Sequence, residues 1–386
     1  MRICALHNNF YRSSGSAVII RRIHDGFQGT PVQFYFAGCA APTEAGTQAE
    51  EDLSWMPEGC YAYFDLMGSP TDLPRQMVRF IRWLRRNECD LIHVHHRRLA
   101  SLANLASPFH RLPILFTAHN TFPWALWFWA FAPKNVSGVS PSVVNYLKMN
   151  SRVENPHLTW NPFSFTAEQP RPKDLLIANN KAVSVGRLEP VKGHLNLILA
   201  WKKLQSLGLR PQLNIFGEGY LREQLHSEIM LHGLQEQVHL CGFATDLEKE
   251  FSSSLFNILA SSTEGFPNVV VEASASNTGS LVTDVDGSRD AVPPDVVLPN
   301  KVRAGDVDAM AEHLAAWFMN PEAAVQDGRK FRRFLGARCS MSSVRDAYAG
   351  IYARLLSDSG PRSDLADGPE SSRAVNQPQT EWMSEL

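Results

Sequence analysis

Glu264 and Glu272 stand eight positions apart, with Gly265-Phe266-Pro267-Asn268 and three valines between them. The apolar run Phe256 to Ala260 before them reads as a strand, Gly265 and Pro267 as a tight turn, and the stretch from about Asn268 as the start of a helix. Glu264 then lies in the loop and Glu272 on the helix behind it. The first turn of such a helix offers unpaired backbone N–H groups and the positive end of its dipole to an anion. Carboxylates, in turn, accept from hydroxyl groups. A ligand that joins hydroxyls to phosphate, such as a sugar nucleotide, suits both.

The whole string Glu264-Gly-Phe-Pro-Asn-Val-Val-Val-Glu272-Ala resembles the E-x7-E signature of the family 4 retaining glycosyltransferases, which have the two-domain GT-B fold. The resemblance implies that Glu264 contacts hydroxyls of a donor sugar and that Glu272 holds the ribose of its nucleotide. Gly265, Phe266, Pro267 and Asn268 then line the donor, with Asn268 close to the sugar. A second stretch, Val185-Gly186-Arg187-Leu188-Glu189-Pro190-Val191-Lys192-Gly193, is similar to the family's V-G-R-L-x-x-x-K-G segment and carries two cations five positions apart. Transfer of a glycosyl group leaves negative charge on the departing diphosphate while the sugar carbon becomes oxocarbenium-like, so fixed cations there stabilise the transition state. Arg187 can grip phosphate in a bidentate fork and Lys192 can act as a point charge.

Looser matches lie in the first half. Gly15, in Tyr11-Arg12-Ser13-Ser14-Gly15-Ser16, occupies the place of the family's first glycine-rich loop, which approaches the donor phosphate or the acceptor; here one glycine stands where two are common. Ile114-Leu115-Phe116-Thr117-Ala118-His119 ends like the family's T-x-H strand, which implies that His119 touches the donor sugar or its diphosphate. Ser140-Pro141-Ser142 matches a further landmark and is expected only to pack.

Other groupings point elsewhere. Asp284-Val285-Asp286 and Asp306-Val307-Asp308 have the form of a metal-binding D-x-D. The first falls in a family loop and the second begins a helix, where acidic residues suit the dipole, so neither is read as a metal site. His93, His95 and His96 end a strand, with His93 and His95 on one face; zinc is one reading and a cleft-lining or structural role the preferred one. Gly217-Glu218-Gly219 begins a dinucleotide-like turn but has Arg222 where the third glycine would stand, which argues against hydride transfer. Arg75, Arg79, Arg82 and Arg86, with Arg85 beside them, fall along one helical face. Together with the Trp-rich run from Phe122 to Phe131, this face suggests weak contact with an anionic membrane, although a solvated basic face and an aromatic cluster account for the same residues.

These side chains need two scaffolds. Strand-like runs at Ile3–Leu6, Val32–Phe36, Leu91–Val94 and Ile114–Thr117, then Ala182–Val185, Leu213–Phe216, Val238–Leu240, Phe256–Ala260 and Ser280–Thr283, alternate with helical patterns. The expected class is α/β, GT-B, with two Rossmann-like parallel-sheet domains facing a central cleft. The expected divisions are an acceptor-side domain over 1–165, a nucleotide-sugar domain over 166–342, a helix over 343–356 crossing back to the first domain, and a disordered tail over 357–386. The chain has 386 residues and a formal net charge of −2, which speaks against a dedicated nucleic-acid binder. Its six cysteines lack a C-x-x-C pair and read as reduced thiols. The N-terminus reads as a first strand rather than a signal peptide, so a cytoplasmic location, at most at the inner face of the membrane, is expected. The implied activity is metal-independent transfer of a hexosyl or N-acetylhexosaminyl group from a nucleoside-diphosphate sugar to a glycan or lipid-linked acceptor, with no separate cofactor. Bacterial surface polysaccharide or lipopolysaccharide synthesis fits this expectation. A catalytically silent GT-B partner subunit and a GT-B nucleotide-sugar epimerase are the alternatives.

Overall fold

Leu91-Ile92-His93-Val94 and Ile114-Leu115-Phe116-Thr117-Ala118 are buried at every position, as a parallel strand must be when helices cover both faces of its sheet. The computed structural model describes residues 1–10, 15–39, 53–121, 128, 130–151, 153, 155–167, 171, 173–244, 246–297 and 300–359. Among them, seven parallel strands form a first sheet: β1 (Arg2–His7), β2 (Gln33–Gly38), β3 (Tyr61–Tyr63), β4 (Leu91–Val94), β5 (Ile114–Ala118), β6 (Asn135–Gly138) and β7 (His157–Leu158), in the order β3-β2-β1-β4-β5-β6-β7. A second sheet holds β8 (Lys181–Val185), β9 (Gln212–Phe216), β10 (Val238–Gly242), β11 (Phe256–Leu259), β12 (Gly279–Thr283) and β13 (Lys301–Val302), in the order β10-β9-β8-β11-β12-β13. Two parallel-sheet α/β halves are therefore present, as expected.

The strands at β3, β6, β7 and β13 are additional to the expected set. Each is short or poor in large apolar residues. Asn135-Val136-Ser137-Gly138 carries one strong strand former, yet Val136 and Ser137 are fully buried because β5 pairs with them. Both sheets reverse their direction of growth beside the first strand, between β1 and β4 and between β8 and β11. Such a reversal opens a crevice beyond the carboxyl ends of the strands.

The final helix, Met341–Asp358, is longer than the sequence suggested at both ends. Ser340 caps it by accepting from the Ser343 N–H, so it begins before the expected 343. It also runs past Ser357, where the tail was expected to start; the tail from 360 onward lies outside the described residues. The helix packs Val344, Tyr348, Ile351, Tyr352 and Leu355 against Ile20 and Ile23 of the Gly15–Gly26 helix and against Phe27 just beyond it, returning the chain to the first sheet. The outward and return crossings run side by side, where Phe163 bridges to Ser340 and its N–H donates to the Cys339 carbonyl at 2.7 Å.

On the Leu73–Arg86 helix, Phe80, Ile81 and Leu84 are buried while Arg75, Arg79, Arg82, Arg85 and Arg86 are exposed, so the basic stripe faces solvent. The Trp-rich run lies largely outside the described residues, although Phe131 is exposed. Among the described residues no helix is long and apolar enough to cross a membrane.

Candidate active site

The reversal in the second sheet places the ends of β8 and β11 side by side, and both feed the site. Beyond β8, the Gly186 N–H donates to the Phe216 carbonyl and the Leu188 N–H to the Glu218 carbonyl, each at 2.9 Å. These bonds lay the loop flat against the turn at Gly217-Glu218-Gly219. Gly217 makes this approach with φ of 137°, and a Cβ there would collide with the Gly186 carbonyl. The glycines of this turn thus serve loop-on-loop packing. The chain then enters a short turn at Pro190–Lys192, and Lys192 folds back over Gly186. Its Nζ donates to Glu264 Oε1 at 2.6 Å, with the two side chains 22% and 12% exposed. Arg187 stands apart: it is 62% exposed and its Nη1 is bound to Glu189 Oε1 at 2.6 Å. The structure thus joins the lysine and the first glutamate directly and turns the arginine toward solvent.

The first half of the chain pins the loop that carries Glu264. Gly265 lies so close to the end of β5 that a Cβ would collide with the His119 carbonyl. Ser140 Oγ donates to the Gly265 carbonyl at 2.8 Å, and the Gly287 N–H donates to that of Glu264 at 3.1 Å. Phe266 is buried edge-on to Trp160, with centroids 5.0 Å apart. Pro267, in extended conformation, leads into the helix Asn268–Ala275. Asn268 Oδ1 accepts from Asn161 Nδ2 at 2.7 Å, and Gly15 faces the same side chain, its Cβ direction ending 3.9 Å from Asn268 Nδ2. Gly15, His119, Gly265, Phe266, Pro267 and Asn268 are therefore neighbours. Glu272 accepts from Arg22 Nη2 at 2.8 Å.

Sequence reasoning missed Ser140, Asn161 and Arg22. Ser140, expected only to pack, caps the Pro141–Asn150 helix, as Ser-Pro at a helix start does, and also reaches across to the loop. Arg22 meets its partner across 250 positions, a pairing for which the local pattern holds no signal.

Five histidines gather at the carboxyl edge of the first sheet. His95 Nδ1 and His119 Nε2 share a hydrogen bond at 3.0 Å, and the rings of His93 and His95 lie 4.0 Å apart. His93 is bonded to Tyr352 Oη and to Thr117 Oγ1, each at 2.8 Å, and His7 Nε2 to Ser16 Oγ at 2.9 Å. Burial pushes His7 down to about 4 and His93 and His119 down to about 3, with neighbouring rings adding to the effect in each. Burial, with Arg97 and Arg98 beside it, pushes His96 down to about 4. His95 is lowered by burial as well. The cluster is accordingly a set of neutral rings at neutral pH. Among the described residues no group of three or more ligating side chains is arranged to hold a metal ion.

The aspartate pairs have other occupations. Arg289 Nε binds Asp284 Oδ1 at 2.8 Å and its Nη1 lies 3.5 Å from Asp286 Oδ1. Asp306 caps the Val307–Met319 helix and Asp308 pairs with Lys203.

Comparison with known proteins gives a consistent picture. A family model described as glycosyl transferases group 1 matches residues 168–333, and one described as glycosyltransferase family 4 matches residues 13–158. The N-acetylgalactosamine-N,N'-diacetylbacillosaminyl-diphospho-undecaprenol 4-alpha-N-acetylgalactosaminyltransferase of Campylobacter jejuni is 35% identical over 112 residues, 29% of this chain and 30% of that protein. An uncharacterized glycosyltransferase of Methanocaldococcus jannaschii is 31% identical over 121 residues, 31% of this chain and 30% of its own length. The matched part thus spans less than a third of either curated relative. Among solved structures, HepE of Anabaena in complex with UDP superposes with a TM-score of 0.76 at 16% identity, covering 92% of this chain and 100% of that one. The lipopolysaccharide outer core galactosyltransferase WaaB, in apo form, superposes with a TM-score of 0.71 at 17% identity over the same shares. Both likenesses are to the GT-B fold.

The lowered histidine values set an expectation for stability. In the unfolded chain these imidazoles titrate near 6.5, whereas in the fold they stay neutral until pH about 4 (His7, His96) or about 3 (His93, His119). Between those limits the unfolded state binds more protons, so stability is full above pH 6.5, falls as pH drops below it, and stops falling on this account once pH is below about 4 (His7, His96) and about 3 (His93, His119). Melting temperature measured from pH 7.5 to 4.5 is expected to decline steadily below 6.5. A flat profile across that window contradicts the neutral cluster.

Proposed function

The chain belongs to the glycosyltransferases of group 1, family 4, with the GT-B fold, and from that premise we propose that it moves a hexosyl or N-acetylhexosaminyl group from a nucleoside-diphosphate sugar to a glycan or lipid-linked acceptor. The observation that carries this reading is the 2.6 Å bond between Lys192 and Glu264, formed from the ends of β8 and β11 and faced across Gly265 by His119. In the proposed site the sugar lies against Glu264, Asn268 and the Gly265-Phe266-Pro267 backbone, the diphosphate against Lys192, Arg187 and Gly186, and the ribose against Glu272. His119 and Gly15 close over the donor from the first half, where the acceptor enters.

The bond from the anomeric carbon to the diphosphate oxygen breaks as positive charge grows on the sugar and negative charge on the leaving group. Glu264 faces the first and Lys192 the second, so one ion pair polarised in advance serves both ends of the breaking bond. Arg187, itself turned toward solvent, joins once a diphosphate offers it a better partner than Glu189. The acceptor hydroxyl attacks on the face the leaving group vacates, and its proton passes to the departing diphosphate, which gives retention. Arg289, Lys203 and the helix cap account for both aspartate pairs, which supports assigning the counter-charge to Lys192 and Arg187.

The relatives support a role in surface glycan or lipopolysaccharide synthesis. The Campylobacter protein is named for a diphospho-undecaprenol-linked acceptor, WaaB for the lipopolysaccharide outer core, and HepE was solved with UDP-glucose. Exposed Arg82, Arg85 and Arg86 lie on one helix, and Arg85 Nη2 donates to the carbonyl of Phe109, itself 67% exposed. Cations beside an exposed aromatic suit an anionic lipid surface at which such an acceptor resides.

Incubating the protein with UDP-, GDP- and ADP-sugars, with and without glycan and polyprenyl-diphosphate acceptors, tests the reading. Nucleotide release that depends on acceptor and yields a glycosylated product is expected. Release without acceptor and with epimerised sugar points to the epimerase, and no release with any donor to a silent subunit. Glu264→Gln and Arg187→Ala are each expected to lower turnover about a hundredfold or more with melting temperature little changed; near-normal transfer by both contradicts the assignment. Arg82→Ala/Arg85→Ala/Arg86→Ala is expected to abolish sedimentation with phosphatidylglycerol vesicles at low salt. Failure of the unaltered protein to sediment there removes the membrane contact.

A further inference from the structure

We infer that Arg22, on the half of the molecule opposite the donor, is a positioning residue for the nucleotide and couples its binding to closure of the two halves. The inference rests on the donor-site reading above, in which Glu272 holds the ribose. Arg22 lies on the Gly15–Gly26 helix, which follows β1, while Glu272 lies on the Asn268–Ala275 helix, which follows β11. Their ion pair, at 2.8 Å with side chains 21% and 19% exposed, joins the halves in a place largely withdrawn from water. The Arg22 guanidinium also sits over the ring of Phe163, 4.5 Å from its centroid. Phe163 is the residue at which the two crossings between the sheets are bonded together. Arg22, Phe163, Phe251, Glu272 and Ser276 line one cavity of about 280 Å³.

The bond is made to a single carboxylate oxygen, Oε1. An ionised carboxylate has about four acceptor positions, so a ribose can be received by Oε2 while Arg22 keeps its hold. Arg22 and the ribose are therefore partners on one carboxylate rather than competitors. The consequence is twofold. Glu272 is ordered before the nucleotide arrives, which removes a cost from binding. It is ordered only while the first half is closed upon the second, so closure favours the nucleotide and the nucleotide favours closure to the same degree.

The test uses the full chain as wild type, Arg22→Ala and Arg22→Lys, with UDP, GDP and ADP as probes in calorimetry, donor kinetics, and small-angle scattering with and without nucleotide. Arg22→Ala is expected to weaken the nucleotide that the wild type binds about tenfold and to raise donor KM alike, with kcat within about twofold. Arg22→Lys, which restores a charge but not the fork, is expected to recover part of the affinity, and nucleotide-induced compaction to shrink in the alanine variant. Unchanged affinity in Arg22→Ala overturns the inference, as does a loss of kcat equal to the rise in KM. A lower melting temperature with lysine no better than alanine reduces the pair to a structural bridge. Binding of none of the three nucleotides by the wild type overturns the donor-site reading itself, and this inference with it.

Discussion

Lys192 and Glu264 are an ion pair with little water around it. Withdrawing two charges from solvent costs several kcal/mol per ion, and their attraction repays this only with good geometry and further hydrogen bonding. A 2.6 Å contact between the ends of two adjacent strands supplies the geometry. As a device for stability it is poor. In the proposed reaction it serves as a preset field, because a positive and a negative group in hydrogen-bond contact, in a site of lowered dielectric, oppose the charges that a breaking glycosyl–phosphate bond develops.

Holding that field in place is the task of the backbone around it. The Glu264 loop has His119 on one side and Gly287 on the other, with no room for a side chain at position 265. Ser140, Trp160 and Asn161 reach it from the first half and Gly287 from the second. The loop is thus a seam between two sheets, each of which brings the carboxyl ends of its reversing strands to the same place. Contacts that join the halves therefore also shape the site, and the neutral histidines bring no charge of their own to the seam, to which the first half contributes the Arg22 cation.

Much of this was legible in the chain. Buried parallel strands such as Ile3–Leu6 announce themselves by runs of apolar residues, and Glu264, Gly265, Pro267 and Glu272 lie within one strand–turn–helix unit whose local chemistry fixes their relation. The weak strands at Asn135–Gly138 and Lys301–Val302 were not legible: the first is buried by its neighbours rather than by its own composition, and the second is two residues long with Lys301 exposed. The pairing of Lys192 with Glu264 was expected as convergence on a ligand but not as a direct bond. Arg187 was expected beside Lys192, yet the carboxylate of Glu189, two residues on, offers it a nearer partner. Arg22 was invisible, since its meaning depends on how two helices far apart in the chain come to rest against each other.

The proposed mechanism has one ion pair at the seam receive the sugar–diphosphate linkage. The measurement that meets it most directly is a crystal structure of the protein soaked with a nucleoside-diphosphate sugar that it turns over. The expected result has the sugar hydroxyls within hydrogen-bond distance of Glu264 and the diphosphate oxygens on Lys192, with Arg187 swung away from Glu189 to meet them. A donor lodged elsewhere, such as the cavity of about 880 Å³ near Arg2, Arg85 and Phe109 at the far end of the first sheet, contradicts it.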